Sequence, residues 1–134
     1  MSPRSLPTLR NLLLIDAGTC ATMAALLTLG SGHIGQLTQL PPVLLSYVGL
    51  GLFPIAAFMA IVALRPDVNS AATWLIIVGN ALWVAGSFLL LASGWIAPNL
   101  LGTVFIAAQA VVVALLTKLE YGALRGYILQ PRAS

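Results

Sequence analysis

The chain has 134 residues, of which 60% are hydrophobic and 7% charged, with a formal net charge of +3. An ordinary soluble domain carries about 25% charged residues, so a mean hydropathy of +1.02 leaves little surface suited to water and places the chain in the membrane class. Six basic residues spread over the whole length form no patch and argue against nucleic acid as a partner, and the single cysteine, Cys20, excludes an internal disulfide, a Cys-x-x-Cys pair and an iron–sulfur centre.

The first ten residues, MSPRSLPTLR, are polar and broken by proline, and read as a short flexible or interfacial lead. An apolar span follows over residues 11–29, long enough to cross the ~30 Å hydrocarbon layer as a helix. It exceeds the core of a signal peptide (about 7–15 residues), contains Asp16 and is followed by no small-x-small cleavage site, so a retained helix is expected. The segment GSGHIGQLTQLPP then reads as a loop, marked by Gly30, Gly32 and Gly35 and stopped by Pro41-Pro42. A second span covers residues 43–64, with Gly49, Gly51 and Pro54 inside it. Residues 65–70 form a tight polar turn in which Asn69 or Ser70 caps the next helix. The third span covers residues 72–93, and the fourth residues 98–119, its helix continuing through Glu120 and Tyr121 before Gly122. The expected fold is an all-α four-helix transmembrane bundle, one membrane domain over residues 1–134.

The basic residues fix the orientation. Arg4 and Arg10 precede the first span, Arg65 separates the second and third, and Lys118, Arg125 and Arg132 follow or end the fourth. The other two connections carry none. This positive-inside pattern places both termini in the cytoplasm of a bacterium, with the spans in its inner (plasma) membrane. Trp95 at the opposite face, and Trp74 and Tyr121 at the cytoplasmic face, suit interfacial anchors. Arg10, Arg65, Lys118 and Arg125 read as an inner ring favouring anionic lipid headgroups, each charge contributing about 1 kcal/mol near the surface. A faint repeat is also visible. Leu12-Leu13-Leu14-Ile15 and Trp74-Leu75-Ile76-Ile77 stand equally far before Ser31-Gly32-His33-Ile34 and Ser93-Gly94-Trp95-Ile96, as in two hairpins of the same orientation.

Polar side chains inside the spans are the candidates for function. Asp16, Thr19, Cys20 and Met23 share a face of the first helix, and Asn80, Trp83 and Ser87 a face of the third. Counted from the cytoplasmic edge, Asp16 lies ~9 Å deep and Asn80 ~12 Å, with Gln109 one to two turns further in. Asp16, Asn80 and Gln109 therefore form a candidate intramembrane cluster. Three readings compete: a protonatable or cation-binding site, interhelical glue at about 0.6 kcal/mol per contact, and an interfacial ion pair between Asp16 and Arg10. Glue is preferred by a narrow margin. Gly49, Gly51 and Pro54 suit a kink and a close helix approach rather than the matched pair of breaks that mark transporter sites. His33, alone in its loop, has no partners for haem or zinc. No Ser–His–Asp set fits in one compartment and no phosphate loop is present, so neither an enzyme nor a cofactor is expected.

At Gly79-Asn80-Ala81-Leu82-Trp83-Val84, Pro98-Asn99-Leu100-Leu101-Gly102 and Leu119-Glu120-Tyr121, the chain resembles a group of small four-helix bacterial integral membrane proteins of unknown function. That resemblance implies a fold and no catalytic residue. In size, and in the carboxylate of its first helix, it is also similar to the small multidrug resistance transporters, which would make Asp16 the counterpart of their essential acid. The preferred expectation is a non-catalytic accessory or interaction subunit, or a homo-oligomer, with the bilayer and a membrane-protein partner or second copy around it. The alternative is a small proton- or cation-coupled transporter centred on Asp16.

Overall fold

The computed structural model describes residues 5–129, so Arg4 and Arg132 of the basic pattern lie outside the described residues. Five helices follow one another: α1 (Ser5–Leu29), α2 (Ser31–Thr38), α3 (Pro42–Leu64), α4 (Ser70–Ser93) and α5 (Leu100–Leu129). The four long ones are each apolar and long enough to cross a bilayer, with hydropathies of 1.8, 2.2, 2.1 and 2.3 in chain order. The fold is an all-α bundle, and its four apolar helices mark a multi-pass membrane protein.

The helix ends follow from local chemistry. The proline-broken lead is helical from Ser5, because Pro7 falls in the first turn, where its missing N–H had no partner to lose. Pro42 opens α3 in the same way. The Asn69 side chain caps α4 by accepting from the Ala72 N–H at 2.9 Å, and Asn99 caps α5 by accepting from the Gly102 N–H at 2.8 Å. Gly94, at φ 79°, supplies the left-handed residue that ends α4.

Besides the lead, which is helical from Ser5 rather than flexible, two expectations need correction. The segment after α1 is not a loop but the short helix α2. Tertiary packing overrides its glycines: a Cβ on buried Gly35 would lie 2.9 Å from Pro42 Cγ and 3.0 Å from the Leu40 carbonyl. The chain then turns back through Gln39, which adopts the left-handed conformation at φ 59°. At the other end, α5 does not stop near Tyr121. Gly122 faces open space, and continuing the helix buries Leu124 against Leu9 and Leu13 of α1. The first turns of α1 and the last of α5 therefore lie at the same end of the bundle.

Helix α1 packs most extensively on α3, α4 packs on α5, and α1 joins the two pairs through α5. The two pairs are hairpins of the same orientation, although α2 has no counterpart between α4 and α5. Helices α3 and α4 meet only sparsely, so the order α3–α1–α5–α4 does not close into a ring. One apolar cluster, around Leu9, Leu13, Met59, Ile77 and Leu124, fills the end where the helix termini meet. A second, around Ala24, Leu27, Leu45, Leu52 and Ile106, fills the far end.

The two glycines of α3 play different parts. A Cβ at Gly49 would meet Thr28 Oγ1 at 2.5 Å and the Ala24 carbonyl at 3.0 Å, so this position sets the close α1–α3 crossing. Gly51 meets nothing within 4 Å and takes no part in packing. Pro54 sits within an unbroken α3, exposed at the rim of the bundle's cavity. Gly49→Ala should therefore destabilise the bundle by about 1–3 kcal/mol through overpacking. Gly51→Ala should be neutral or stabilise it by up to ~1 kcal/mol through helix propensity. Unfolding of both variants in mixed detergent micelles checks this, and equal effects would contradict the assigned crossing.

Candidate functional site

Three helices each turn one acid or amide into the core. On α1, Asp16 follows Leu9 and Leu13 along the buried stripe and is 2% exposed. On α4, Asn80 continues the stripe of Thr73, Ile76 and Ile77. On α5, Glu120 stands between Leu116 and Leu124, four residues from each, and is 0% exposed. The backbones of α1 and α4 do not touch, so the side chains themselves bridge the bundle.

Asn80 is the link. Its Nδ2 donates to Asp16 Oδ2 at 2.8 Å and to Glu120 Oε1 at 3.2 Å. With one nitrogen bonding both, the two carboxyls stand side by side. Glu120 Oε2 is buried with no partner. Asp16 Oδ1 meets only the Cys20 thiol, at 3.8 Å, and that thiol also lies 4.0 Å from Met59 Sδ. No basic side chain compensates the pair among the described residues. Arg10, the sequence-level candidate partner of Asp16, instead donates to the carbonyls of Ala63 at 2.7 Å, Arg65 at 2.8 Å and Pro66 at 3.0 Å. A guanidinium is well placed there, because the last carbonyls of α3 carry the negative end of the helix dipole.

The structure thus brings Asp16 and Asn80 together but leaves Gln109 out. Gln109 Oε1 accepts from Trp83 Nε1 at 2.8 Å, while Nε2 donates to Ser87 Oγ at 3.0 Å and to the Ile106 carbonyl at 2.8 Å. The third member is Glu120, eleven residues and ~16 Å further along the same helix. It escapes a sequence reading that ends the span at residue 119 and puts Glu120 at the interface. The available signal was the spacing Leu116–Glu120–Leu124, an acid in an apolar stripe of helical period.

The proposed headgroup ring also changes. Arg10 is committed to α3, and Lys118 precedes Arg125 by seven residues, ~10 Å along α5, so the four bases do not share one level. The Arg125 guanidinium lies over the Tyr121 ring at 5.9 Å, and Tyr121 meets Trp74 edge-on at 5.6 Å, which forms an aromatic anchor at this end. His33 is exposed on α2, remote from the pair.

Beside the pair is a cavity of about 760 Å³, walled by α1, α3, α4 and α5 and reached by Asp16, Cys20, Asn80, Trp83 and Gln109 among mostly apolar side chains. No protein-family model, curated protein or solved structure matches the chain, so the site is read from its own geometry.

Because Asn80 is the one side-chain donor shared by both carboxyls, Asn80→Leu should cost about 1–3 kcal/mol, the penalty for orphaned buried acceptors. Gln109→Leu, at a site where the partners are a half-exposed indole and a hydroxyl, should cost nearer the ~0.6 kcal/mol average of membrane hydrogen bonds. Steric trapping in bicelles measures both, and a larger loss for Gln109→Leu would displace Asn80 from the centre of the site.

Proposed function

We propose that the protein is a non-enzymatic, proton-coupled membrane transporter whose proton-binding element is the pair Asp16–Glu120. One observation carries this: two buried carboxyls share a single amide donor, and among the described residues no cation is bonded to either. Two carboxylates so close in an apolar interior repel each other and lose their hydration. One shared proton removes a charge and supplies the donor that the pair lacks. A group of this kind takes up and releases a proton when its surroundings open to water, which is the chemistry that coupling needs. The adjoining cavity gives a solute somewhere to bind.

The same reading includes orientation. Arg10, Arg65 and Arg125 gather at the end where the helix termini meet, and the positive-inside rule assigns that end to the cytoplasm of the bacterial inner membrane. An accessory or interaction subunit, the role favoured by sequence alone, draws on the same large lipid-facing surface and predicts a stoichiometric partner.

Proteoliposomes loaded with a pH-sensitive dye test the proposal. Under an imposed pH gradient the wild-type chain should raise proton entry above empty vesicles, and Asp16→Asn and Glu120→Gln should each lower that flux at least tenfold while still assembling in the bilayer. Wild-type flux no greater than that of empty vesicles, together with co-purification of a second protein in fixed ratio, would establish the accessory role instead.

A further inference from the structure

The cavity has the volume of a site for one drug-sized molecule. Its setting narrows the class. Its flanks α3 and α4 meet only sparsely, and Ile55, Phe58 and Leu75 on those flanks are 44%, 38% and 62% exposed. A molecule in the hydrocarbon phase therefore reaches the cavity without crossing a polar barrier, and the apolar walls favour a hydrocarbon tail.

The polar groups in the wall are not equivalent. Gln109 and Trp83 satisfy each other and their neighbours. Asp16 does not: its Oδ1 has only a thiol at 3.8 Å, and a thiol is a weak donor. Asp16, 2% exposed, thus keeps acceptor capacity where it reaches the cavity wall. No Lys, Arg or His lines the cavity, so an anionic head would meet only repulsion.

We propose that the cavity binds a single-chain amphiphile drawn from the bilayer, with a hydrogen-bond-donating head on Asp16 Oδ1 and its tail along the apolar wall toward Leu52 and Phe105. The site stands on the cavity and on Asp16. Only its link to pH rests on the proton-binding reading. Without the shared proton the pair becomes a stronger acceptor, so proton and amphiphile oppose each other, and binding tightens as pH rises. The groups that face Asp16 are Glu120 from α5, Cys20 from α1 and Asn80 from α4, with Met59 of α3 behind the Cys20 thiol, so the acid pair itself sets this dependence.

Trp83 lines the cavity and reports occupancy directly. In nanodiscs of the Trp74→Phe, Trp95→Phe variant, Trp83 is the one remaining tryptophan of three. The probe is 6,7-dibromododecan-1-ol, whose bromines quench a nearby indole. Quenching should saturate, be relieved by unbrominated dodecan-1-ol, and weaken roughly tenfold in Asp16→Asn, where a charged acceptor becomes a neutral one. The brominated dodecanoate and the brominated hydrocarbon should quench only in linear, unsaturable fashion, as solutes dissolved in the bilayer. Gly79→Phe should abolish the saturable part, since Gly79 lines the cavity with nothing within 4 Å of its missing Cβ. Linear quenching by the alcohol, or saturation by alcohol and hydrocarbon alike, would overturn the proposal. Saturable alcohol binding that does not vary between pH 5 and 9 would leave the site standing and remove its coupling to the proton, which separates this inference from the failure of the transporter reading.

Discussion

The bundle depends on how two carboxyls are buried against one amide. Bringing Asp16 and Glu120 out of water is costly for either alone, and Asn80 offsets the cost by donating to both. That arrangement ties α1, α4 and α5 at one point, and it does so although the backbones of α1 and α4 never meet. Remove the amide and the diagonal of the bundle keeps only its apolar contacts, Leu9 and Leu13 of α1 with Ile76 and Ile77 of α4 in one cluster. The length of α5 follows from the same constraint. Only a helix that runs on past Glu120 seals the acid from the terminal end, by packing Leu124 against Leu9 and Leu13.

Small residues set the complementary constraint. Gly49 lets α3 settle on Ala24 and Thr28 of α1, which makes that pair the most closely packed in the molecule. Gly102 plays a similar part where α5 passes the carbonyl of Thr38, at the end of α2. No such residue draws α3 toward α4, and Gly79 and Gly86 on α4 face open space. The unclosed flank and the cavity are therefore two results of one distribution of glycines. Close packing along α1–α3, and a polar tie across to α4, leave room between them.

Much of this was legible in the sequence. Apolar runs bounded by proline, glycine and asparagine located the long helices to within a few residues at most ends, because hydrocarbon thickness and capping chemistry act locally. Asp16 and Asn80 were placed at matching depth by counting residues from one edge, and they do bond. The failures have a common cause. Gly30, Gly32 and Gly35 were read as loop punctuation, yet Gly35 is helical because its missing side chain makes room for Pro42 and Leu40. Glu120 was assigned to the interface and Gln109 to the cluster because the register of α5 against α1 cannot be read from either helix by itself. The choice between one amide and one acid three turns apart was decided by a contact more than a hundred residues distant in the chain.

The bonding of Arg10 is what most supports the proposed proton-binding reading of the acid pair. It is the basic residue nearest Asp16 in sequence, six positions away, and a guanidinium is well suited to hold a buried carboxylate. Instead all its bonded donors go to the carbonyls of Ala63, Arg65 and Pro66. A bundle that needed only a permanent charge pair had the cation within about two helical turns and uses it elsewhere. The acids are left with each other, with Asn80 and with the weak thiol of Cys20. A fixed salt bridge would hold their charge constant whatever lay on either side of the membrane. On the proposed reading, a carboxyl pair completed by a proton does not, and its net charge follows whichever compartment has access to it.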